Sequence, residues 1–412
     1  MTAIHGPSEI RTAVRAINRV LALPGIPKRD LSFDAIVEKA ERSVQKSDWG
    51  EAAYFEQLRL SVDAMAGGDQ LSPLGRAAAA DLYNWHATNR LRIVDYVKRH
   101  PEVLDVPIAR PIFIVGWFRT ATTDLHNLLS LDPALRAPLS WELCYPVPEH
   151  GDRARDERTR IRRTASKWRL AHFVGPGQKN AHDLRADNPE ECFFLLANSA
   201  VFLQQIMGQQ GYDYARSLLK QNLTRAYRDL RIQYQILASQ RPQQPLVLKC
   251  PLHLWFLDEL LSAFPDARII HTHRPAAEAI PSLCSMSAIM TRPFARHFQF
   301  ERHGAFFSEF CRAGIDRAMH VRSRVPADQI YDVHLADLGR DPVATVQSIY
   351  RHFGLPGDEE AIRVRTLRHL RAKRGQKRQR GPRHSYTPEL FGLTPEGLSA
   401  EFQDYEALFG IE

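Results

Sequence analysis

Four short apolar runs, each followed by a stretch of helical periodicity, limit the folds open to this chain more than any other feature. They are "PIFIV" (111–115), "PLVLK" (245–249), "ARIIHTH" (267–273) and "QIYDVH" (329–334). Continuous β-branched runs of this kind suit strands buried on both faces, and their alternation with helices builds a parallel sheet with helices on either side. The fold expected for residues 108–412 is therefore α/β, a parallel sheet flanked by helices. Residues 1–107 carry a different pattern. Amphipathic stretches at 7–23, 33–45, 50–65 and 74–100, separated by "LPGIPKRD", "KSDWG" and "GGDQLSP", predict an all-helical N-terminal subdomain.

Composition narrows the class. The 412 residues are 44% hydrophobic and 25% charged, enough for a large globular core. No apolar run is long enough to span a membrane. The longest, "CFFLLANSAVFLQQIM" (192–207), is interrupted by Asn198, Ser199 and two glutamines and reads as a buried helix. The N-terminus lacks the charged-then-apolar order of a secretory signal. Five scattered cysteines without a C-x-x-C pair fit free thiols in a reducing, cytoplasmic setting better than a disulfide frame or a zinc site. The formal charge of +8 is uneven, because ten Lys or Arg and no acid lie between Arg363 and Arg383. That run has no interleaved aromatics and no zinc-finger or RNA-recognition pattern. It suits a solvated basic face or a small polyanion such as a nucleotide better than nucleic acid.

In open parallel sheets, ligands bind outside the carboxyl ends of the strands, where loops meet helix N-termini. The informative segments fall at such ends. "GWFRTATT" (116–123) follows the first run, and its backbone N–H groups can form an anion cradle, with Arg119, Thr120, Thr122 and Thr123 as further donors. A P-loop NTPase would have a second glycine at Ala121 and a lysine at Thr122, so ATP hydrolysis fits poorly. Lys249 ends the second run, with His253 just beyond. After the third run comes Arg274, and Ser282 lies two turns along a helix that starts near Pro275. Arg274 and Ser282 can grip one phosphate from two sides.

Together these segments resemble the P-loop-like sulfotransferases that use 3′-phosphoadenosine 5′-phosphosulfate (PAPS), in particular their bacterial branch. Members read roughly P-I-F-I-V-G-x-P-R-[ST]-G-T-T-x-L-H-x-L-L-x-x-D-P, then W-E-L, L-K-S-P-x-H and R-(D)-P…P-S. This chain supplies "PIFIVGWFRTATTDLHNLLSLDP", "SWELCYPVP", "LKCPLHLWF" and "HRPAAEAIPSLCS", and the similarity runs from about residue 70 to 412. The resemblance assigns the 5′-phosphosulfate to Arg119, Thr120, Ala121, Thr122 and Thr123, and the 3′-phosphate to Arg274 and Ser282. It assigns the basic run, with Arg383 singled out, to the segment that closes over the nucleotide. It implies in-line sulfuryl transfer to a hydroxyl or amine of a small, partly apolar acceptor, without a metal. Lys249 and Arg119 stabilise the leaving phosphate oxygen, and Glu142 or His253 acts as the base, Glu142 being preferred. Glu190 or Glu191, in "DNPEECFF", lines the acceptor site or serves structure.

Three departures stand out. Phe118 and Ala121 replace the family's Pro and Gly, and the acid expected after Arg274 is absent. A glycine at 121 permits positive φ, which costs alanine roughly 1 kcal/mol or more. Trp117 and Phe118 add bulk beside the place of the sulfate. A second reading is therefore a sulfotransferase-fold protein that binds nucleotide or ligand without transferring sulfate.

Overall fold

The structure is a computed structural model that describes residues 12–175, 184–241, 244–377 and 386–411. Helices α1 (Thr12–Leu21), α2 (Phe33–Val44), α3 (Ala53–Ala66) and α4 (Pro73–Arg99) come first. Their starts follow local rules. The Ser32 hydroxyl accepts from the Ala35 N–H to open α2, and Ser72 does the same for the Gly75 N–H at α4, where Pro73 occupies the first turn.

All four expected strands form: β1 (Ile112–Gly116), β2 (Val247–Lys249), β3 (Arg268–His273) and β4 (Ile330–His334). They pair in parallel in the order β2-β1-β3-β4, with Ile114 opposite Lys249, Gly116 opposite Thr272 and His273 opposite His334. The chain leaves β1 for β2 on one side and returns to β3 on the other. The switch point lies at the carboxyl end of β1.

Alternation along β1 sends its side chains to opposite faces. Phe113 and Val115 join one apolar cluster, with Ile269 of β3; Ile112 and Ile114 join a second, with Leu125, Ile270, Val333 and Ile349. The second face is covered by α5 (Thr122–Leu129), after which come α6 (Ser140–Cys144) and α7 (Arg153–Val174).

The run 192–207 is buried, but it is not one helix. It divides into α8 (Phe193–Ala197) and α9 (Leu203–Gly208), with Ala200 at φ +66° between them. The break follows from Asn198. Its carboxamide oxygen meets His86 Nδ1 at 2.7 Å and accepts from Asn89 at 3.1 Å, and its amide donates to Gln233 at 2.8 Å. A satisfied buried polar network outweighs the helical bonds given up there.

The remaining helices are α10 (Tyr212–Leu218), α11 (Thr224–Ser239), α12 (Leu257–Ala263), α13 (Ala276–Thr291), α14 (Phe300–Arg322), α15 (Leu335–Arg340), α16 (Pro342–Phe353), α17 (Glu359–Lys377), α18 (Pro395–Glu401) and α19 (Gln403–Phe409). α2–α4 share their core with the sheet domain. Tyr54, Tyr83 and Leu91 share the first cluster with Phe113 and Tyr405, and Arg90 forms a buried ion pair with Asp229 of α11 at 2.8 Å.

Candidate functional site

The loop after β1 is shaped by three positive φ angles: Gly116 at +144°, Arg119 at +71° and Ala121 at +69°. Gly116 is required there, since a Cβ would lie 2.4 Å from Thr272 Oγ1 and 2.7 Å from Thr272 O. Ala121 adopts the left-handed conformation expected for the family's glycine. Its methyl packs at the edge of the second apolar cluster. Trp117 and Phe118 add no bulk beside the anion cradle, contrary to the expectation from sequence. Both rings are buried in the core, Trp117 against Phe402 and Tyr405 and Phe118 against Trp255. Thr120 is also turned inward: its hydroxyl donates to Trp117 O and pairs with Thr272 Oγ1, each at 2.6 Å. Thr120 thus ties the loop to β3 through its side chain.

Two clusters of donors flank this loop. In the first, Arg119 Nε donates to Ser282 Oγ at 3.1 Å, and Arg274 Nη1 donates to Arg119 O at 3.0 Å. Arg274 also pairs with Glu278 at 2.9 Å. Among the described residues Arg119 has no carboxylate within ion-pairing distance. Burial, and then the neighbouring Arg274 guanidinium, lower its pKa from the usual arginine value. Two guanidinium groups thus lie together beside the loop, Arg274 matched by Glu278 and Arg119 by no carboxylate among the described residues, an arrangement that can attract an anion.

In the second cluster, Lys249 is buried and pairs with Glu191, with Glu190 Oε1 4.0 Å away. Its Nζ also donates to Thr123 Oγ1 at 3.3 Å, which brings the end of β2 to the first turn of α5. Burial opposes the lysine charge, but the Glu191 and Glu190 carboxylates outweigh it and raise the pKa. Thr122 is buried beside Thr123 at the start of the same helix.

His126 is a further residue of this region that the sequence reading passed over. It donates from Nε2 to Val247 O at 3.2 Å, while its buried Nδ1 has no partner among the described residues. Burial and the Lys249 charge push its pKa down to about 3, so the ring is neutral. Its position three residues after Thr123, on the same helical face, was the available signal.

The two candidate bases lie in different surroundings. Glu142 accepts from Arg136 Nη2 at 2.9 Å, Arg241 Nε at 3.2 Å and the Leu139 N–H at 2.8 Å. It is a buried ion-pair partner that also caps its own helix, and both oxygens are engaged. His253 is fully buried, with Nδ1 2.9 Å from Tyr227 OH and its ring edge-on to Phe113. Burial pushes its pKa down to about 3, which makes it a weak proton acceptor. Arg383 lies outside the described residues. Earlier in the basic run, Lys373 of α17 pairs with Asp124 in the first turn of α5, and Arg365 pairs with Asp132 at 3.2 Å.

One group of metal-type ligands occurs among the described residues, on β3 and β4 and next in sequence to Arg274. His271, His273 and Asp332 bring donor atoms within 4.8 Å of one another. Arg322 donates to both Asp332 oxygens at 2.9 Å and approaches His271 Nδ1 at 3.1 Å, so the positive charge between these groups is a guanidinium.

Comparison with known proteins agrees with this geometry. The sequence profile of the sulfotransferase family matches residues 111–360. The omega-hydroxy-beta-dihydromenaquinone-9 sulfotransferase Stf3 of Mycobacterium bovis and of Mycobacterium tuberculosis is 25% identical over 272 residues. That match covers 63% of this chain and 66% of Stf3, just under two thirds of the relative. The solved sulfotransferase STF1 of Mycobacterium tuberculosis superposes with a TM-score of 0.80 at 31% identity, over 92% of this chain and 100% of STF1. STF9 of Mycobacterium avium gives 0.81 at 26% identity, over 94% of this chain and 98% of STF9. With the strand order, the loop and its flanking cations, these matches make the chain a member of the sulfotransferase family.

Proposed function

We propose that the protein transfers a sulfuryl group from PAPS to the hydroxyl of a partly apolar acceptor of the lipid-alcohol class. The observation that carries this reading is the meeting of Arg119, Arg274 and Ser282 on one side of the β1 loop with Lys249 and Thr123 on the other. A donor with phosphate at one end and phosphosulfate at the other fits two separated sets of donors. In this reading Arg274 and Ser282 hold the 3′-phosphate. Arg119, Thr122, Thr123 and the N–H groups of the loop hold the phosphosulfate. The bound donor supplies an activated sulfur centre; the chain supplies charge and position. Lys249 and Arg119 neutralise the phosphate oxygen that leaves, a preorganised stabilisation that needs no metal.

The base we assign is Glu190. The ground is its place: its Oε1 lies 4.0 Å from Lys249, the group assigned to the leaving oxygen, and accepts from the Glu191 N–H at 2.9 Å, while Glu142 lies between Arg136 and Arg241 and His253 is buried and weakly basic. A carboxylate there takes the hydroxyl proton as the acceptor oxygen attacks. The acceptor class rests on the Stf3 name, which specifies an omega-hydroxylated dihydromenaquinone.

Calorimetric titration with 3′,5′-adenosine bisphosphate tests the donor site. The wild type is expected to bind at micromolar ligand and Arg274→Ala to lose binding; a wild type silent at high micromolar ligand would sink the reading. Turnover with PAPS and a long-chain alcohol tests the base. Glu190→Gln is expected to lower kcat about 100-fold or more with nucleotide affinity kept, as general-base removal does. An unchanged kcat would remove Glu190 from the mechanism. A second reading, nucleotide binding without transfer, is favoured by Ala121 alone, whose left-handed backbone a glycine would adopt without strain. Binding without turnover of any alcohol or amine would select it.

A further inference from the structure

α1 packs through one face only. Val14 is buried and Ile17, Asn18 and Leu21 are half-buried, the i, i+3, i+4, i+7 set that meets α4. Asn18 Oδ1 accepts from the Leu74 N–H at 3.0 Å, which fixes the helix against the start of α4. The segment that follows leaves apolar side chains in solvent: Val20 is 54% exposed, Leu23 56% and Ile26 39%. Around Gly25 the space is open, since a Cβ there would meet nothing within 4 Å.

Along the chain, the charges on either side of this apolar stretch are of one sign. Arg15 and Arg19 precede it, Lys28 and Arg29 follow it, all four are exposed, and no acid lies between residues 15 and 29. The next acid, Asp30, is committed to the Ser32 N–H at 2.7 Å at the entry to α2.

Exposed apolar side chains flanked along the chain by cations match the interfacial zone of an anionic bilayer, where the apolar groups enter below the lipid phosphates and the cations meet them. A second copy of the chain fits less well, because a two-fold contact would set this patch against itself and oppose like charges. We propose that residues 15–29 dock the protein on an anionic lipid surface. The proposal deepens the lipid-alcohol reading, on which it rests for its purpose, by bringing the enzyme to the phase in which such an acceptor dissolves. The patch also adjoins the nucleotide-binding half. The start of α4 bonds to the segment after α13, with Ser72 N donating to Phe294 O at 2.8 Å, and α13 carries Ser282.

The test is co-sedimentation of the full chain with vesicles of equal parts phosphatidylcholine and phosphatidylglycerol. Binding is expected, weakening with added salt. The pairs Leu23→Ser with Ile26→Ser and Lys28→Glu with Arg29→Glu are each expected to weaken it roughly tenfold or more. Both should keep the wild-type thermal midpoint, affinity for 3′,5′-adenosine bisphosphate and turnover of a short, water-soluble alcohol. Absence of wild-type binding, or binding that both pairs leave unchanged, overturns the docking site. So does light scattering in which either pair converts a dimer to a monomer. Nucleotide affinity reports separately on the donor site, so failure of docking and failure of the sulfotransferase reading are told apart.

Discussion

Ala121 holds a left-handed backbone with φ +69°, next to Arg119 at +71°. For L-residues each such angle costs on the order of 1 kcal/mol or more relative to glycine, and the methyl's contact with the second cluster offsets part of it at Ala121. Ala121→Gly is expected to raise stability by about 0.5–1 kcal/mol in a denaturant titration. A gain in PAPS turnover in the same variant would mark the loop strain as a brake on catalysis. Lys249 presents the opposite case. Its ammonium is the buried counterion of Glu191, so Lys249→Met leaves a carboxylate unpaired and should cost about 3 kcal/mol. A loss below about 1 kcal/mol in urea unfolding would mean that the carboxylates find another partner or a proton.

α19 is the element that holds the site together from outside the sheet. Phe402, which precedes it, and Tyr405 pack on Trp117 of the loop, and Glu406 accepts from the Ala276 N–H at 2.8 Å at the start of α13. Tyr405 OH lies 2.9 Å from His273 Nδ1, and Phe409 stacks on the same imidazole. One short helix therefore braces both the loop after β1 and the helix that carries Ser282. Phe402→Ala should remove about 3–4 kcal/mol of stability through the cavity it leaves. It should also raise the dissociation constant for 3′,5′-adenosine bisphosphate, read calorimetrically at a temperature where the variant is folded. A variant that loses stability without losing affinity would show that the loop keeps its shape without this brace.

At the scale of the whole molecule, the largest apolar cluster among the described residues runs from α2 to α19 and includes Leu31, Tyr83, Phe113, Trp255 and Tyr405. Helices α2–α4 are part of that cluster, so unfolding followed by far-ultraviolet circular dichroism and by tryptophan fluorescence should coincide. The same burial governs pH dependence. His86, His126, His253 and His303 are pushed down to about 3, chiefly by burial, whereas an unfolded histidine titrates near 6.5. The unfolded chain then binds more protons than the folded one between those values, so this stability is present above about pH 6.5 and is lost as pH falls toward 3. Each histidine contributes up to about 1.4 kcal/mol per pH unit in that window. The urea midpoint should drop steeply between pH 6.5 and 5, and a flat profile would mean that the imidazoles are solvated.

Four strands, their helical partners and the position of Arg119, Lys249 and Arg274 at or just after strand ends were legible in the chain because each depends on residues close in sequence. Apolar runs and the Pro275–Ser282 spacing are local patterns, and local patterns determine local structure. The tertiary structure alone decided which groups face each other. Arg119 reaches Ser282 across 163 residues, Lys249 chooses Glu191 across 58, and Glu142 is taken by Arg136 and Arg241. Asn198 divides the apolar run 192–207 because its partners lie on α4 and α11. Trp117 and Phe118 leave the anion cradle because distant aromatic rings accept them in the core. Charge pairing and ring packing act between neighbours in space, and those neighbours exist only once the sheet order β2-β1-β3-β4 has formed.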